Sequence, residues 1–240
     1  MKWIQSILDN NSVFGQLMTR CGILIAANIL FILFSIPIVT VGASFAALYY
    51  TMLKVLRGED ELNPFRTFWQ GFRENFKQGT IAWLILLAFG IVLCLEVFWC
   101  SQFTGPVALF RYGLYALLFI EIVIASYLFP TMATFQATLP QLIQDSIYFA
   151  IRRPVTLLLV LFANVVPLAL TYVDYGHLPI YAFLWCIVGF AAVAMFNSSL
   201  LIKQFTLYLS PLAEDTEEKA ADRQEKSEAE ILEEMKKLGM

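Results

Sequence analysis

Few residues in this chain could do chemistry, and those few stand inside apolar sequence. Glu96, Arg111 and Glu121 fall within or at the edge of long hydrophobic runs. A charge in such a run is costly, so it faces protein, water or an opposite charge. Glu96 and Arg111 lie at similar distances on either side of an uncharged turn centred near Phe103. That spacing predicts similar depth on antiparallel neighbours and an interhelical ion pair. Glu121 sits nearer the middle of its run, either as a protonated, hydrogen-bonded packing residue or as part of a solute or proton path. Asn28, Asn164 and Asn197 complete the intramembrane polar candidates, read first as hydrogen-bonding groups between helices.

The sequence carries no catalytic constellation. His177 is the single histidine and has no second ligand at metal-site spacing, and Cys21, Cys94, Cys100 and Cys186 are scattered without a CxxC pair. A phosphate-binding glycine loop, a dinucleotide fingerprint and a nucleophile elbow are likewise missing. A hydrolase or transferase would be expected to show one of these signatures. The reading is therefore non-enzymatic, with no catalytic, cofactor-binding or metal residues, no cofactor and no nucleic-acid partner.

The elements that position these residues are membrane-length helices. Hydrophobic residues make up 59% of the 240-residue chain and charged residues 15%, with a mean hydropathy of +0.69. Soluble domains run at about 45–50% and 25%. A hydrocarbon core about 30 Å thick needs about 20 helical residues. Residues 21–36, 81–99, 107–129, 155–173 and 180–202 meet or nearly meet that length, and 38–56 is borderline because it carries Thr40, Ser44, Thr51 and Lys54. The fold class is all-α, a polytopic transmembrane helical bundle. Six spans are preferred and five possible, the alternative being one long first helix broken at Pro37. The first helix shows no cleavage pattern and is expected to be retained.

Basic residues set the orientation. Lys54, Arg57, Arg66, Arg73 and Lys77 fall in one connection, Arg152 and Arg153 in another, and Lys203 follows the last span, whereas 100–106 and 174–179 hold no Lys or Arg. The positive-inside rule makes the first set and the C-terminus cytoplasmic. In the six-span reading Lys2 and Arg20 are inside too; in the five-span reading the N-terminus is external.

Two cytoplasmic segments have the pattern of surface helices. In 64–78, Phe65, Phe68, Trp69, Phe72 and Phe76 follow helical spacing while Arg66, Arg73 and Lys77 interleave. This face is either a bundle anchor or a docking surface for a cytoplasmic partner. The second segment, 140–153, starts with Pro, places Leu142, Ile143, Ile147 and Ile151 along one side and ends in Arg152-Arg153-Pro154. Spans ending at Pro37 and Pro130, each followed by such a segment, hint at a duplication. The domain organisation is an N-terminal interfacial segment (1–20), a transmembrane bundle (21–209) and an acidic cytoplasmic tail (210–240). From 214 to 240 there are ten acidic and five basic residues, with acid-first i, i+4 pairs that favour a solvated helix.

The stretch from Asn28 through Ser35-Ile36-Pro37, Thr40-Val41-Gly42-Ala43-Ser44 and Tyr49-Tyr50 to Arg57-Gly58-Glu59 resembles the opening signature of the YesL-like family of bacterial integral membrane proteins, a domain of unknown function. Phe68-Trp69 with Phe72-Arg73-Glu74-Asn75-Phe76-Lys77-Gln78, Tyr127-Leu128-Phe129-Pro130 and Ala150-Ile151-Arg152-Arg153-Pro154 fit its later blocks. The likeness runs from Val13 to Leu209 and leaves out the acidic tail. It implies a bacterial cell-membrane location and, because genes of the family tend to sit beside carbohydrate importers of the ATP-binding-cassette type, an accessory role in sugar uptake with an importer permease as partner. The chain lacks the cytoplasmic-loop signature of such permeases. Two classes remain: an accessory protein for carbohydrate uptake, or an autonomous small-solute carrier or channel with Glu121 and the intramembrane Asn residues along its path.

Overall fold

The computed structural model describes residues 13–58, 62–103 and 109–209. The expected N-terminal interfacial segment falls mostly outside these residues, and the helical acidic tail wholly outside them. By internal contacts the chain forms two compact units, Met1–Leu201 and Ile202–Met240, of which the second is described only for the helical residues 202–209.

Every regular element among the described residues is helical. They are α1 (Val13–Ser35), α2 (Val41–Leu56), α3 (Pro64–Ser101), α4 (Phe110–Thr134), α5 (Leu139–Arg152), α6 (Pro154–Val173) and α7 (Tyr175–Leu209). A 3-10 turn, Ile38–Thr40, joins α1 to α2. Six stretches are long and apolar enough to cross a membrane: Phe14–Ser35, Ile38–Leu56, Pro64–Ser101, Phe110–Thr134, Pro154–Val173 and Tyr175–Leu209. The protein is a multi-pass helical membrane protein.

Local chemistry sets the boundaries. Pro37 follows the end of α1, and the Thr40 hydroxyl donates to the Phe34 carbonyl that the helix end leaves open and to the Pro37 carbonyl of the turn. Gly58, at φ 86°, takes the left-handed conformation that stops α2. Asn63 caps α3 by accepting from the amides of Phe65 and Arg66, with Pro64 in the first turn. Thr138 and Gln141 form a capping box that opens α5. Pro130 does not end its helix, because α4 continues through Thr134, whose hydroxyl donates to the Pro130 carbonyl.

α2 lies at the heart of the bundle. No residue in it is exposed, and its borderline hydropathy has a simple cause: it faces protein on every side rather than lipid. Ser44 and Thr51 return their hydroxyls to the carbonyls of Thr40 and Ala47, one turn back. Against α3 it packs antiparallel with near backbone contact. Gly42 meets Gly79 and Trp83, Ala43 meets Gly79, and Tyr50 lies over Gly71. A Cβ at Gly42 would overlap the Gly79 carbonyl oxygen, and one at Gly79 would stand 2.9 Å from the Ala43 Cα. Small residues are what let two helices approach this closely.

The first expected surface helix is not a separate element. Residues 64–78 are the beginning of α3, which runs 38 residues without a break. At 1.5 Å per residue that is about 57 Å, nearly twice a hydrocarbon core. Residues 81–99 are its most apolar part, and α2 packs along the more basic part that precedes them. Nothing in 64–80 breaks the helix, and the anchorage of Phe68 and Phe72 in the core beside Phe34 holds it to the bundle. Residues 139–152 do form a separate helix, α5, but its buried face is Leu142, Ser146, Phe149 and Ala150. Ile147, Tyr148 and Ile151 are exposed, so α5 carries a protein-facing stripe and an outward apolar stripe, as suits a helix half sunk at a membrane surface.

Replacing Gly42 by Ala is expected to destabilise the protein by about 1–3 kcal/mol or more, because overpacking must push apart two backbones. Gly113, where an added Cβ would meet nothing within 4 Å, is the control; Gly113→Ala should be neutral or slightly stabilising. Thermal unfolding in detergent, followed by circular dichroism, distinguishes the two. Equal melting temperatures for both variants would contradict the packing described.

Candidate functional site

The site is built around a break in the hydrogen-bond pattern of α7. Residues Trp185–Gly189 form a π-helical turn, which leaves backbone groups without their usual partners. Asn28, fully buried on α1, supplies them. Its amide nitrogen donates to the carbonyls of Trp185 (3.0 Å) and Cys186 (2.8 Å), and its oxygen accepts from the Ala191 amide (3.0 Å). Gly189 makes room for the Trp185 ring, since a Cβ there would stand 2.6 Å from the indole. The indole nitrogen then donates to the Thr171 hydroxyl of α6 at 3.0 Å. Asn28 thus fixes the orientation of Trp185.

Trp185 and Phe190 form one wall of a cavity of about 330 Å³. Phe45, Tyr49, Trp83 and Phe129 supply further aromatic lining from α2, α3 and α4. Its polar part is a chain of hydrogen bonds across four helices. Asn197 donates through Nδ2 to the Tyr49 hydroxyl (3.1 Å) and to Asn164 Oδ1 (2.8 Å), and Asn164 Nδ2 donates to the Ser126 hydroxyl (3.1 Å). Two prolines add acceptors at this level. Pro130 and Pro167 have no N–H, so the carbonyls of Ser126 and Ala163, four residues back, lose their helical donors. Asn164 and Asn197 are therefore brought together and Asn28 stands apart at the π turn. Tyr49, Ser126, Trp83 and Trp185 were not legible as site residues. The proline-to-Ser126 spacing was the one available signal.

Glu121 occupies a neighbouring groove between α3 and α4, of about 510 Å³, which shares Trp83, Ile122 and Ala125 with the cavity. Its carboxylate lies over Gly90, close enough that a Cβ there would be 3.1 Å from Oε1. This contact sets the α3–α4 register and undoes the expected ion pair. With Gly90 opposite Glu121, six residues along each antiparallel helix bring Glu96 opposite Tyr115, a full turn from Arg111. No salt bridge joins Glu96 to Arg111; Glu96 is exposed, and the Arg111 guanidinium lies over the Tyr112 ring, 5.3 Å from its centre.

The aromatic face of α3 divides in two. Phe68 and Phe72 are buried in the core, whereas Phe65 (63% exposed), Trp69 and Phe76 face outward. Beside them an open, polar groove of about 810 Å³ runs between α3 and residues 132–141 of α4 and α5, lined by Gln70, Glu74, Lys77 and Gln78 among others. At the other end of the bundle His177 Nδ1 lies 2.9 Å from Asp174, and that hydrogen bond holds the Asp174 carboxyl below the usual carboxylate range. Among the described residues no group of His, Cys, Asp and Glu is arranged to hold a metal ion.

Residues 24–97 match the family described as Protein of unknown function, DUF624, which is consistent with the YesL-like resemblance. The match covers the second half of α1, all of α2 and most of α3, including Asn28, the Gly42–Gly79 contact and the aromatic face. No curated protein and no solved structure matches the chain.

Asn28→Ala would orphan two carbonyls and one amide in the π turn. At about 1–3 kcal/mol for a buried group left unsatisfied, partly relieved by relaxation to a regular α-helix, the variant is expected to melt lower and to shift the Trp185 fluorescence. Unchanged emission and melting would remove Asn28 from this role.

Proposed function

We propose that the protein is a non-enzymatic accessory component of carbohydrate uptake in the cell membrane, with its C-terminus in the cytoplasm, where it holds a partner such as an importer permease. The observation that carries the reading is the arm formed by the first third of α3. Phe68 and Phe72 fasten it to the core, while Phe65, Trp69 and Phe76 are exposed among Arg66, Arg73 and Lys77. Exposed aromatic and Arg side chains are the residue types that dominate binding at protein interfaces. The adjoining polar groove offers side-chain amides and backbone groups next to that face. That the partner handles carbohydrate rests on the family resemblance.

A carrier is the second reading, and one observation favours it: polar side chains from α2, α4, α6 and α7 converge beside a cavity. Reconstitution separates the two. Purified alone in liposomes, the protein is expected to move no sugar, and in cells it should co-purify with an importer permease. Replacing Phe65, Trp69 and Phe76 together by Ala should abolish that co-purification while leaving the melting temperature within a few degrees. Sugar flux from liposomes that is lost in Glu121→Gln would reject the accessory reading, as would labelling of cysteines placed at 57 or 152 by an impermeant reagent outside intact cells.

A further inference from the structure

The aromatic cavity has a chemistry that neither sugar uptake nor docking uses. Six rings line it, from Phe45, Tyr49, Trp83, Phe129, Trp185 and Phe190, and it contains no charged residue. Both indole N–H groups are already engaged, Trp83 with the Ile38 carbonyl at 2.8 Å and Trp185 with Thr171, so the tryptophans offer ring surface only. Beside the acceptors left by Asn197 Oδ1 and the proline-freed carbonyls, the lining keeps unused donors. The Tyr49 and Ser126 hydroxyls each accept from an Asn amide, and each keeps its own O–H hydrogen without an acceptor among the described residues. Two hydroxyl donors therefore stand on the lining.

Position narrows the ligand further. Asn164 lies near the midpoint of the 20-residue α6, so this polar cluster lies within the apolar part of the bundle. Ile122 and Leu168 belong both to the lining and to the exposed apolar surface, so the cavity opens sideways toward lipid. A hexose is excluded by its count of hydroxyls, which far exceeds the few polar groups available, each unpaired one costing about 1–3 kcal/mol. A lipid acyl chain carries no acceptor and would leave both donors unused. The volume is at the low end of the roughly 300–1,000 Å³ of small-molecule sites.

We propose that the cavity binds a neutral, membrane-soluble molecule with a flat conjugated ring and carbonyl oxygens, the chemistry of a quinone headgroup. The rings of Trp83, Trp185 and the phenylalanines hold the plane by stacking and edge contacts. The hydroxyls of Tyr49 and Ser126 donate to its carbonyl oxygens. The site is independent of the docking arm and of any sugar.

The test uses the full chain in lipid nanodiscs and 2,3-dimethyl-1,4-naphthoquinone, which lacks both an isoprenoid tail and a thiol-reactive ring position. Quenching of tryptophan fluorescence is expected to saturate in the native protein above the linear partition background of empty nanodiscs. Tyr49→Phe keeps the ring and the Asn197–Asn164 bond while removing the hydroxyl, and should weaken binding by tenfold or more. Ala125→Leu, which fills the wall shared with the Glu121 groove, should weaken it likewise, and reads out the site even if the Tyr49 variant fails to fold. Purely linear quenching, equal affinity in both variants, or displacement by palmitate as effectively as by excess quinone would overturn the proposal, the last by showing a tail-binding crevice. Maltose should not compete. These outcomes leave the accessory reading untouched, since that reading is judged by permease co-purification.

Discussion

The close approach of α2 to α3 is the contact on which the rest of the bundle depends. Gly42, Ala43, Gly71 and Gly79 bring the two backbones together, and Gly42 against Gly79 leaves no room for even one methyl group. In a membrane there is little hydrophobic drive between helices, so packing and hydrogen bonding must do what burial from water does elsewhere. Because α3 runs 38 residues, fastening α2 to its basic end also fixes the position of everything that α2 touches. Phe45 reaches α1 and α4 through Phe31 and Phe129, and Tyr49 reaches α7 through Asn197.

Buried polar groups supply the specificity that apolar packing lacks. Asn28 satisfies three backbone groups of a π turn that would otherwise be orphaned in a low-dielectric interior. In return the π turn points Trp185 toward α6 and into the cavity. Pro130 and Pro167 act in the same direction, freeing carbonyls at the level of Ser126 and Asn164 rather than ending their helices. Irregular backbone at membrane depth is tolerated where it lies within protein or lines a cavity. Here the irregularities gather around one cavity and are not spread along the lipid-facing surfaces. The exposed aromatics of α3 stand outside this centre, so a partner held on the arm and a molecule held in the cavity would not compete for space.

The long apolar runs made the helical membrane architecture legible, because length and composition alone identify a helix that must satisfy its backbone in lipid. The Ile38–Leu56 stretch read as borderline for a physical reason: it is surrounded by protein, so its Ser and Thr residues cost little. Pro140 marked the start of α5 to within a residue, whereas the unbroken join of 64–78 to the following span was not legible, since a basic aromatic segment looks the same whether it lies flat or continues a span. The Glu96–Arg111 expectation failed on register. Distance from a turn fixes depth only to about a turn of helix, and it was the fit of Glu121 over Gly90 that chose the register. The Asn residues could be recognised as groups between helices, but which of them meet depends on rotation of each helix about its axis, and nothing in an almost uniformly apolar sequence specifies that.

The most direct measurement of the α2–α3 contact is a disulfide between them. In a background with Cys21, Cys94, Cys100 and Cys186 replaced, Tyr50→Cys with Gly71→Cys places two side chains where a Cβ at 71 lies 3.0 Å from the Cβ of residue 50. That is near the separation of about 3.5–4.5 Å seen across disulfides. Mild oxidation in native membranes should cross-link this pair rapidly, and a cysteine moved from 71 to 85, about four turns along α3, should not cross-link to 50. Cross-linking at 50 and 85, or none at 50 and 71, would contradict an account in which α2 is fastened to the basic end of the long helix.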